Sequence, residues 1–430
     1  MRLVHTSDLH LGFRQYDRLT PDGINVRESD VMRSFDQVIA QTIALAPELL
    51  LVAGDVFHRA HPSNLAIVHA YRGLARLRAA LPQIEVVVVA GNHDDPKSVE
   101  KGSILRLYAQ LGVHVVDGPA QVLDFPHLDL SVLAVPDNQH ERPVLRPSGG
   151  RRYNVLLLHG ETGGIAHAWG KEDGIPTDAL HAPEWDYIAL GHYHVYHQVA
   201  PNAWYAGAID YATTNAWGEL AAEAAAGLAG KGIVERDLAT GAHTFHPLPR
   251  SRVFVDLQPI DAHAMTPAQV TEAIALEVDL IEGGIDDKCI RLVINDLERP
   301  AIHALDQRML RRYRRQALHF HLDPRAPARI RTASGVYDAI GRRRPLEQML
   351  AESLRNHLLP PDIEREALVA LGLQYLAEAT DAAPAVMPTA EEKAAMLAFA
   401  QAELAQAADA DPYAASIADA ERASASRRSA

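Results

Sequence analysis

Short apolar runs recur through the first half of the chain, and several are closed by a polar cluster. Over residues 1–220, RLVHT, ELLLVAG, IEVVVVAG, VHVVD, LDLSVLAV, YNVLLLHG, YIALGHY and AWYAG have the length and β-branched content of strands. Several are apolar at successive positions, as in sheets covered on both faces. Stretches of helical period, Val31–Ala44 and Asn64–Ala80, lie between them. This alternation predicts an α/β fold.

The pattern changes at Ser251. SRVFVDLQPI and KCIRLVIND read as strands, with a helix over Pro267–Glu282 between them. They predict a small α/β unit, Ser251–Arg331. An arginine belt follows, with about a dozen Arg against four acids between Glu298 and Pro345. From Leu346 the pattern is helical and acidic, in PLEQMLAESLRNHLL and PDIEREALVALGLQYLAEA. Apolar residues recur there at helical spacing: Leu346, Met349, Leu350 and Leu354. After Thr380 the chain is Ala-rich, with a helix expected at Ala390–Ala408 and a disordered last dozen residues. There is no internal repeat.

A length of 430 residues predicts two or three domains. The start, MRLVHTSDLH, lacks the pattern of a signal peptide. No run of 18 apolar residues occurs, so no membrane span is expected. One cysteine, Cys289, excludes internal disulfides and fits a reducing cytoplasm. It reads as a small core residue. A net charge of −14 by itself argues against a nucleic-acid partner. The arginine belt softens that objection, and carboxylates that bind cations add negative charge the cations cancel.

The chemistry lies in five stretches, each an apolar strand with a polar cluster at or near its C-terminal end. They carry Asp8 and His10, Asp55 and His58, Asn92–His93–Asp94, His159, and His192 and His194. In open α/β sheets, ligands bind at the carboxyl ends of strands, so the clusters are expected to converge. Carboxylate, amide oxygen and imidazole without thiolate suit Mn²⁺, Fe²⁺, Zn²⁺ or Mg²⁺. Asp8 and His10, like His192 and His194, are two residues apart, which on an extended chain sends both side chains to one face. Gly54, Gly91, Gly160 and Gly191 are expected to let the backbone turn beside the ligands. Seven ligand groups exceed one ion but fit two sharing a bridging carboxylate. Taken singly, each motif also reads as a turn or a capped loop; the inference rests on all five together.

The series DLH, GDVFH, GNHD, HG and GHYH resembles the calcineurin-like metallophosphoesterase superfamily over about residues 1–215. The resemblance implies a four-layer α/β/β/α sandwich with a dinuclear metal centre. One ion would take Asp8, His10, Asp55 and His194. The other would take Asp55, Asn92, His159 and His192, with Asp55 bridging. His93 would protonate the leaving oxygen, and Asp94 would orient it. Protein phosphatases of this fold carry GDxxDRG and GNHE. Here HTSDLHLG, and GDVFH followed by Pro62-Ser63, resemble the SbcD-type DNA repair nucleases, relatives of the meiotic-recombination-eleven nuclease. In that group His58 would be a second active-site histidine that contacts phosphate or positions DNA.

The same resemblance implies the domain order: nuclease domain 1–250, DNA-capping domain 251–340, helical region 341–380, then an Ala-rich helix and flexible tail 381–430. Helices at Leu346–Leu359 and Ile363–Ala379 would bind the coiled-coil base of an SbcC-type, SMC-like ATPase; the alternative is packing within the chain. Arg311, Arg312, Arg314 and Arg315 in RRYRRQ would neutralise DNA phosphates; the alternative is a solvated helix face. A homodimer, a cytoplasmic location and two divalent ions, Mn²⁺ first, complete the expectation. The family's Tyr-Pro-Gly-Ser after GHxH is replaced here, with Ala206 and Ala208 for Pro and Ser, which bears on the local loop and on substrate choice. The implied activity is metal-dependent DNA cleavage. The alternatives are a small-molecule phosphodiesterase or phosphatase of the same fold and a DNA-end-binding scaffold of an ATPase complex.

Overall fold

A computed structural model describes residues 1–95, 102–137, 143–162, 174–327, 331–332, 335–337, 343–344, 346–355 and 365–381. The chain forms two compact units, Met1–Ala326 and Pro327–Ala430. The first begins β1 (Arg2–Thr6), α1 (Val26–Leu45), β2 (Leu49–Ala53), α2 (Asn64–Ala80), β3 (Glu85–Val89) and β4 (His114–Val116). It continues with β5 (Gln121–Phe125), β6 (Leu130–Val135), β7 (Tyr153–His159), β8 (Tyr187–Gly191), β9 (His197–Ala200) and β10 (Ala203–Tyr205). Then come α3 (Ala216–Ala225), β11 (Gly232–Asp237) and β12 (His243–Pro247).

These strands make two six-stranded sheets, ordered β12-β11-β1-β2-β3-β4 and β5-β6-β7-β8-β10-β9. The central strands are parallel, so their carboxyl ends share one edge of each sheet. Alternation along the central strands then builds the layers. Leu50, Val52, Val86 and Val88 pack with Val31, Phe35 and Val38 of α1 and Leu74 and Leu77 of α2. Leu49, Leu51, Val87 and Val89 pack between the sheets against Val132, Val155, Leu157 and Ala189. On the outer face of the second sheet, Leu156, Leu158, Ile188 and Leu190 lie with Leu180 and Trp185. There the covering layer includes two short 3-10 turns, Thr177–Leu180 and Ala182–Glu184.

Helix α2 has the limits its periodicity predicts, with the Ser63 hydroxyl accepting from the Ala66 N–H as its cap. Helix α1 starts five residues before the expected Val31, capped by Asn25. Its first turn is charged yet buried, which hides it from an apolar pattern. Strands β5, β9, β11 and β12 were not expected either. Their solvent-facing or polar positions interrupt the apolar run.

A second sheet system follows in the same unit: β13 (Phe254–Asp256), β14 (Ile260–Asp261), α4 (Pro267–Asp279), β15 (Cys289–Asn295), α5 (Arg299–Ala304), α6 (Gln307–Gln316) and β16 (His319–Pro324). SRVFVDLQPI, expected as one strand, is two. Both β13 and β14 run parallel to β15 at different points along it. Pro259 has no N–H to give the ladder, and the strand breaks there. Helix α4 opens on a Thr266–Gln269 capping box and lays Val270, Ile274 and Val278 on Ile290, Leu292 and Ile294.

Cys289 is fully buried, and burial pushes its thiol up to about 11. Its alkylation by iodoacetamide at pH 8 is expected to be at least tenfold slower in the native chain than in urea. Equal labelling rates would place Cys289 outside the core.

The second unit is described in parts. Residues 331–332, 335–337 and 343–344 pair as three short antiparallel strands, β17 to β19. Helices α7 (Leu346–Arg355) and α8 (Arg365–Asp381) pack together, with Gly372 close under Leu350 and Leu354. The helix expected at Ala390–Ala408 and the last dozen residues lie outside the described residues. Among the described residues no helix is long and apolar enough to cross a membrane.

Candidate metal centre

The five polar clusters meet at the carboxyl ends of β1, β2, β3, β7 and β8. Asp8 and Asp55 are almost wholly buried. Among the described residues neither has a Lys or Arg partner within 4.0 Å; their ion-pair neighbours are histidines. Asp55 Oδ2 lies 3.7 Å from His10 Nε2 and 3.6 Å from His159 Nε2. His10 Nε2 is 3.0 Å from His194 Nε2, and His194 Nε2 is 3.9 Å from Asp8 Oδ1. On the other side, Asn92 Oδ1 is 3.2 Å from both His159 Nε2 and His192 Nδ1.

Asp55 thus stands between a group of Asp8, His10 and His194 and a group of Asn92, His159 and His192. Two nearby combinations also bring ligand atoms within 4.8 Å of one another: Asp8–Asp55–His159 and His10–His58–His93. Two buried carboxylates ringed by imidazoles, with no Lys or Arg beside them among the described residues, fit a cation. The donor set fits divalent metal ions.

The convergence differs in detail from extended geometry. Strand β1 ends at Thr6 and β8 at Gly191. Asp8, His10, Asp55 and His192 have φ of 51°, 45°, 50° and 108°, values costly for residues with a Cβ. Left-handed turns, not a two-residue strand repeat, aim these side chains. The glycines also divide. Gly54 does turn, at φ 86°. Gly91 and Gly191 provide room: a Cβ there would lie 2.2 Å from Asp55 Oδ1 and 1.8 Å from the Ala53 carbonyl oxygen.

Hydrogen bonds fix the rings. His159 Nδ1–H donates to the Ala53 carbonyl at 2.7 Å, which turns Nε2 toward Asp55. His194 Nδ1 lies 3.0 Å from Glu219 Oε1, so Nδ1–H donates and Nε2 faces His10 and Asp8. His192 N–H donates to the Asp8 carboxylate at 3.1–3.2 Å. Burial pushes His10 far below the usual imidazole range, aided by His194, His93 and His58. Burial also lowers His194, but the Glu219 and Asp8 carboxylates outweigh it and leave the ring raised.

His93 sits beside this group. Its N–H donates to Asp55 Oδ1 at 2.9 Å, and its Nδ1–H donates to the His58 carbonyl at 2.8 Å. Asp94 does not orient that ring. Its carboxylate accepts from the N–H groups of Val56, Phe57 and Gly91 at 2.9–3.1 Å. It pins the loop after β2 to the loop after β3. Burial and nearby Asp55 push it up to about 7, against the pull of those N–H groups. The His58 ring stacks on His93 at 5.2 Å, sits edge-on to Phe13, and is lowered to about 4, chiefly by burial.

Arg311, Arg312, Arg314 and Arg315 lie on α6, exposed, with Leu310 and Tyr313 of the same helix buried. Arg312 lies over the Tyr313 ring at 5.2 Å. Among the described residues none of the four has an acidic partner within 4.0 Å. The loop with Ala206 and Ala208 is buried; the Ser7 hydroxyl donates to Gly207 carbonyl, and Ala208 N–H to His194 carbonyl. It runs into Asp210, which pairs with Arg27 at 2.8 Å. Sequence reasoning missed Glu219, Lys231 and this Arg27–Asp210 pair. The one signal was a charged residue placed against an apolar run, as in KGIV.

The family model for calcineurin-like phosphoesterases matches residues 1–196. The two-sheet sandwich and the clustered Asp, His and Asn residues agree with it, and this domain belongs to that family of metallophosphoesterases. Several similar proteins share one name. The chain is 33% identical over 210 residues to the DNA double-strand break repair protein Mre11 of Methanocaldococcus jannaschii, covering 45% of this chain and 51% of that protein. It is 37% identical over 111 residues to the Mre11 of Methanococcus maripaludis, 26% of this chain and 28% of that protein. It is 29% identical over 168 residues to the Mre11 of Sulfolobus acidocaldarius, covering 37% and 41%. The matches span about half or less of the length of these curated relatives.

Proposed function

We propose that the chain is a DNA repair nuclease of the SbcD type, a phosphodiesterase working with two divalent cations. The observation that carries this is the Asp55 carboxylate between two sets of ligand atoms, with His10 and His159 nitrogens 3.7 and 3.6 Å from one oxygen. Asp8, His10, Asp55 and His194 would hold one ion, and Asp55, Asn92, His159 and His192 the other. Mn²⁺ is our first choice among Mn²⁺, Mg²⁺, Fe²⁺ and Zn²⁺ for this oxygen and imidazole set. When bound, the pair would polarise the scissile phosphate and lower the pKa of an attacking water.

The chain's own residues do the rest. The His58 carbonyl holds the Nδ1 proton of His93, so the proton His93 gives to the departing sugar oxygen leaves from Nε2. The His58 ring, stacked on His93 and kept neutral by burial, meets a phosphate oxygen or positions the strand. Asp94 keeps the His93 loop in register with Asp55 through its three backbone hydrogen bonds.

The small sheet over β13–β16 serves as the DNA cap, and the four exposed arginines of α6 neutralise phosphates without reading bases. In the second unit, Leu350, Leu354, Leu368, Leu371 and Tyr375 line an open apolar groove on α7 and α8, suited to an SMC-like ATPase of the SbcC type. Exposed Leu65 and Val68 on α2, with Leu19 beside Leu65, suit a homodimer. A cytoplasmic location agrees with a buried, unpaired Cys289.

The test is hydrolysis by the purified chain with Mn²⁺ of single- and double-stranded DNA, beside bis-p-nitrophenyl phosphate. Asp55→Ala is expected to lose the paired site and bind fewer than two Mn²⁺ per chain, with cleavage falling at least 100-fold. Two ions retained in Asp55→Ala would contradict the bridge. Turnover of the small diester without DNA cleavage, with or without an ATPase partner, would favour a small-molecule phosphodiesterase.

A further inference from the structure

One pair of charged residues behind the centre belongs to no ligand set. Glu219, in the first turn of α3, places Oε1 3.0 Å from His194 Nδ1. Its other oxygen, Oε2, accepts from Lys231 Nζ. Lys231 also donates to the His194 carbonyl at 2.8 Å and pairs with Glu223 at 2.8 Å. Glu223 in turn accepts from the Tyr211 hydroxyl at 2.6 Å. All of these groups are buried or nearly so. The arrangement is lopsided across the site. His159 gives its Nδ1–H to a neutral carbonyl, and His194 gives its own to a carboxylate.

We infer that Glu219 and Lys231 are a positioning pair that sets the tautomer and direction of His194 and so the affinity of the Asp8–His10–His194 half for its cation. This rests on the two-cation reading above. A carboxylate on Nδ1–H keeps Nε2 as the lone-pair nitrogen and raises its basicity. Lys231 matters because it occupies the other carboxylate oxygen and holds the His194 backbone. Glu219 must accept on both sides at once, from Lys231 and from His194. A carboxylate does this with its two oxygens; an amide has only one.

That constraint makes Glu219→Gln informative. The ammonium of Lys231 claims the single amide oxygen, and the NH₂ then faces His194 Nδ1. Nδ1 becomes the acceptor, the proton moves to Nε2, and the cation loses that ligand. By calorimetric titration with Mn²⁺, Glu219→Gln is expected to weaken one of two ions by roughly 10–100-fold and to leave the other within about threefold. Glu219→Gln combined with Lys231→Met frees the amide oxygen to face His194, and part of the loss is recovered. Glu223→Gln, which touches Lys231 but not His194, keeps both affinities within about threefold.

A second measurement needs no variant. Long-range ¹H–¹⁵N NMR of the metal-free chain is expected to show His194 protonated at Nδ1. An Nε2–H tautomer there, or two Mn²⁺ bound by Glu219→Gln with wild-type affinity, would overturn the inference. A wild-type chain that binds no Mn²⁺ would overturn the two-cation reading itself, and this inference with it.

Discussion

His93→Ala is expected to lower DNA cleavage by roughly 10²–10⁴-fold while the chain still binds two Mn²⁺. The second half of that statement carries the information. His93 stands with His10 and His58 in a cluster whose nitrogens could themselves hold an ion. That cluster contains no carboxylate, unlike the sets that meet around Asp8 and Asp55. His93 Nδ1–H is spent on the His58 carbonyl, and the main-chain N–H is spent on Asp55. Only Nε2 is left for chemistry, beside rather than within the set that surrounds Asp55. Removing the ring should therefore cost proton transfer and spare the metals. The measurement is paired: turnover on DNA and Mn²⁺ stoichiometry on the same preparation. Loss of one ion with the activity would make His93 a ligand. Full activity would remove it from the mechanism. A substrate whose leaving group is already acidic, such as bis-p-nitrophenyl phosphate, needs little help from an acid. On that substrate the defect should shrink by at least tenfold.

The candidate ligands were legible as a cluster because each ends a strand or follows one by a few residues, so local pattern and fold rule together find them. Asp8, Asn92 and His192 needed only an apolar run and a polar end. What the pattern could not supply was direction. Two-residue spacing suggested a shared strand face, whereas left-handed backbone at Asp8, His10 and His192 aims the side chains. Asp94 looked like a partner of its neighbour. Its real partners, Val56 and Phe57, are 38 and 37 residues away. Glu219 reaches His194 across 25 residues, from helix α3 to the loop after β8. Such contacts leave no periodic trace. The same holds for edge strands β5 and β12, whose stability comes from one neighbour and not from an apolar run of their own.

Arg27→Met is expected to destabilise the first unit by about 3–5 kcal/mol. Arg27 is fully buried, with Nη1 2.7 Å from Asp30 and Nη2 2.8 Å from Asp210. Asp30 is shared with Arg252, which meets both its oxygens at 2.8 and 2.9 Å and comes from the segment leading into β13. The Arg27 guanidinium also lies 5.1 Å from the centre of the Phe254 ring on β13. One cation thus joins α1, the loop after β10 and the small sheet. Removing it leaves Asp210 without its charged partner, while Asp30 keeps Arg252 and, at 4.0 Å, the exposed Arg33. Arg252 is partly open to water at 15% exposure, so Arg252→Met should cost less than Arg27→Met. Urea unfolding of the two variants gives the comparison. A loss under about 1 kcal/mol for Arg27→Met would mean that water reaches the site and screens the charges. Arg27→Met with Asp210→Asn should recover part of the loss, since it removes the stranded charge as well as its partner. The consequence extends to the metal centre. Asp210 anchors the loop whose Ala208 N–H holds the His194 carbonyl, so in Arg27→Met the ion on the His194 side should weaken before the unit unfolds.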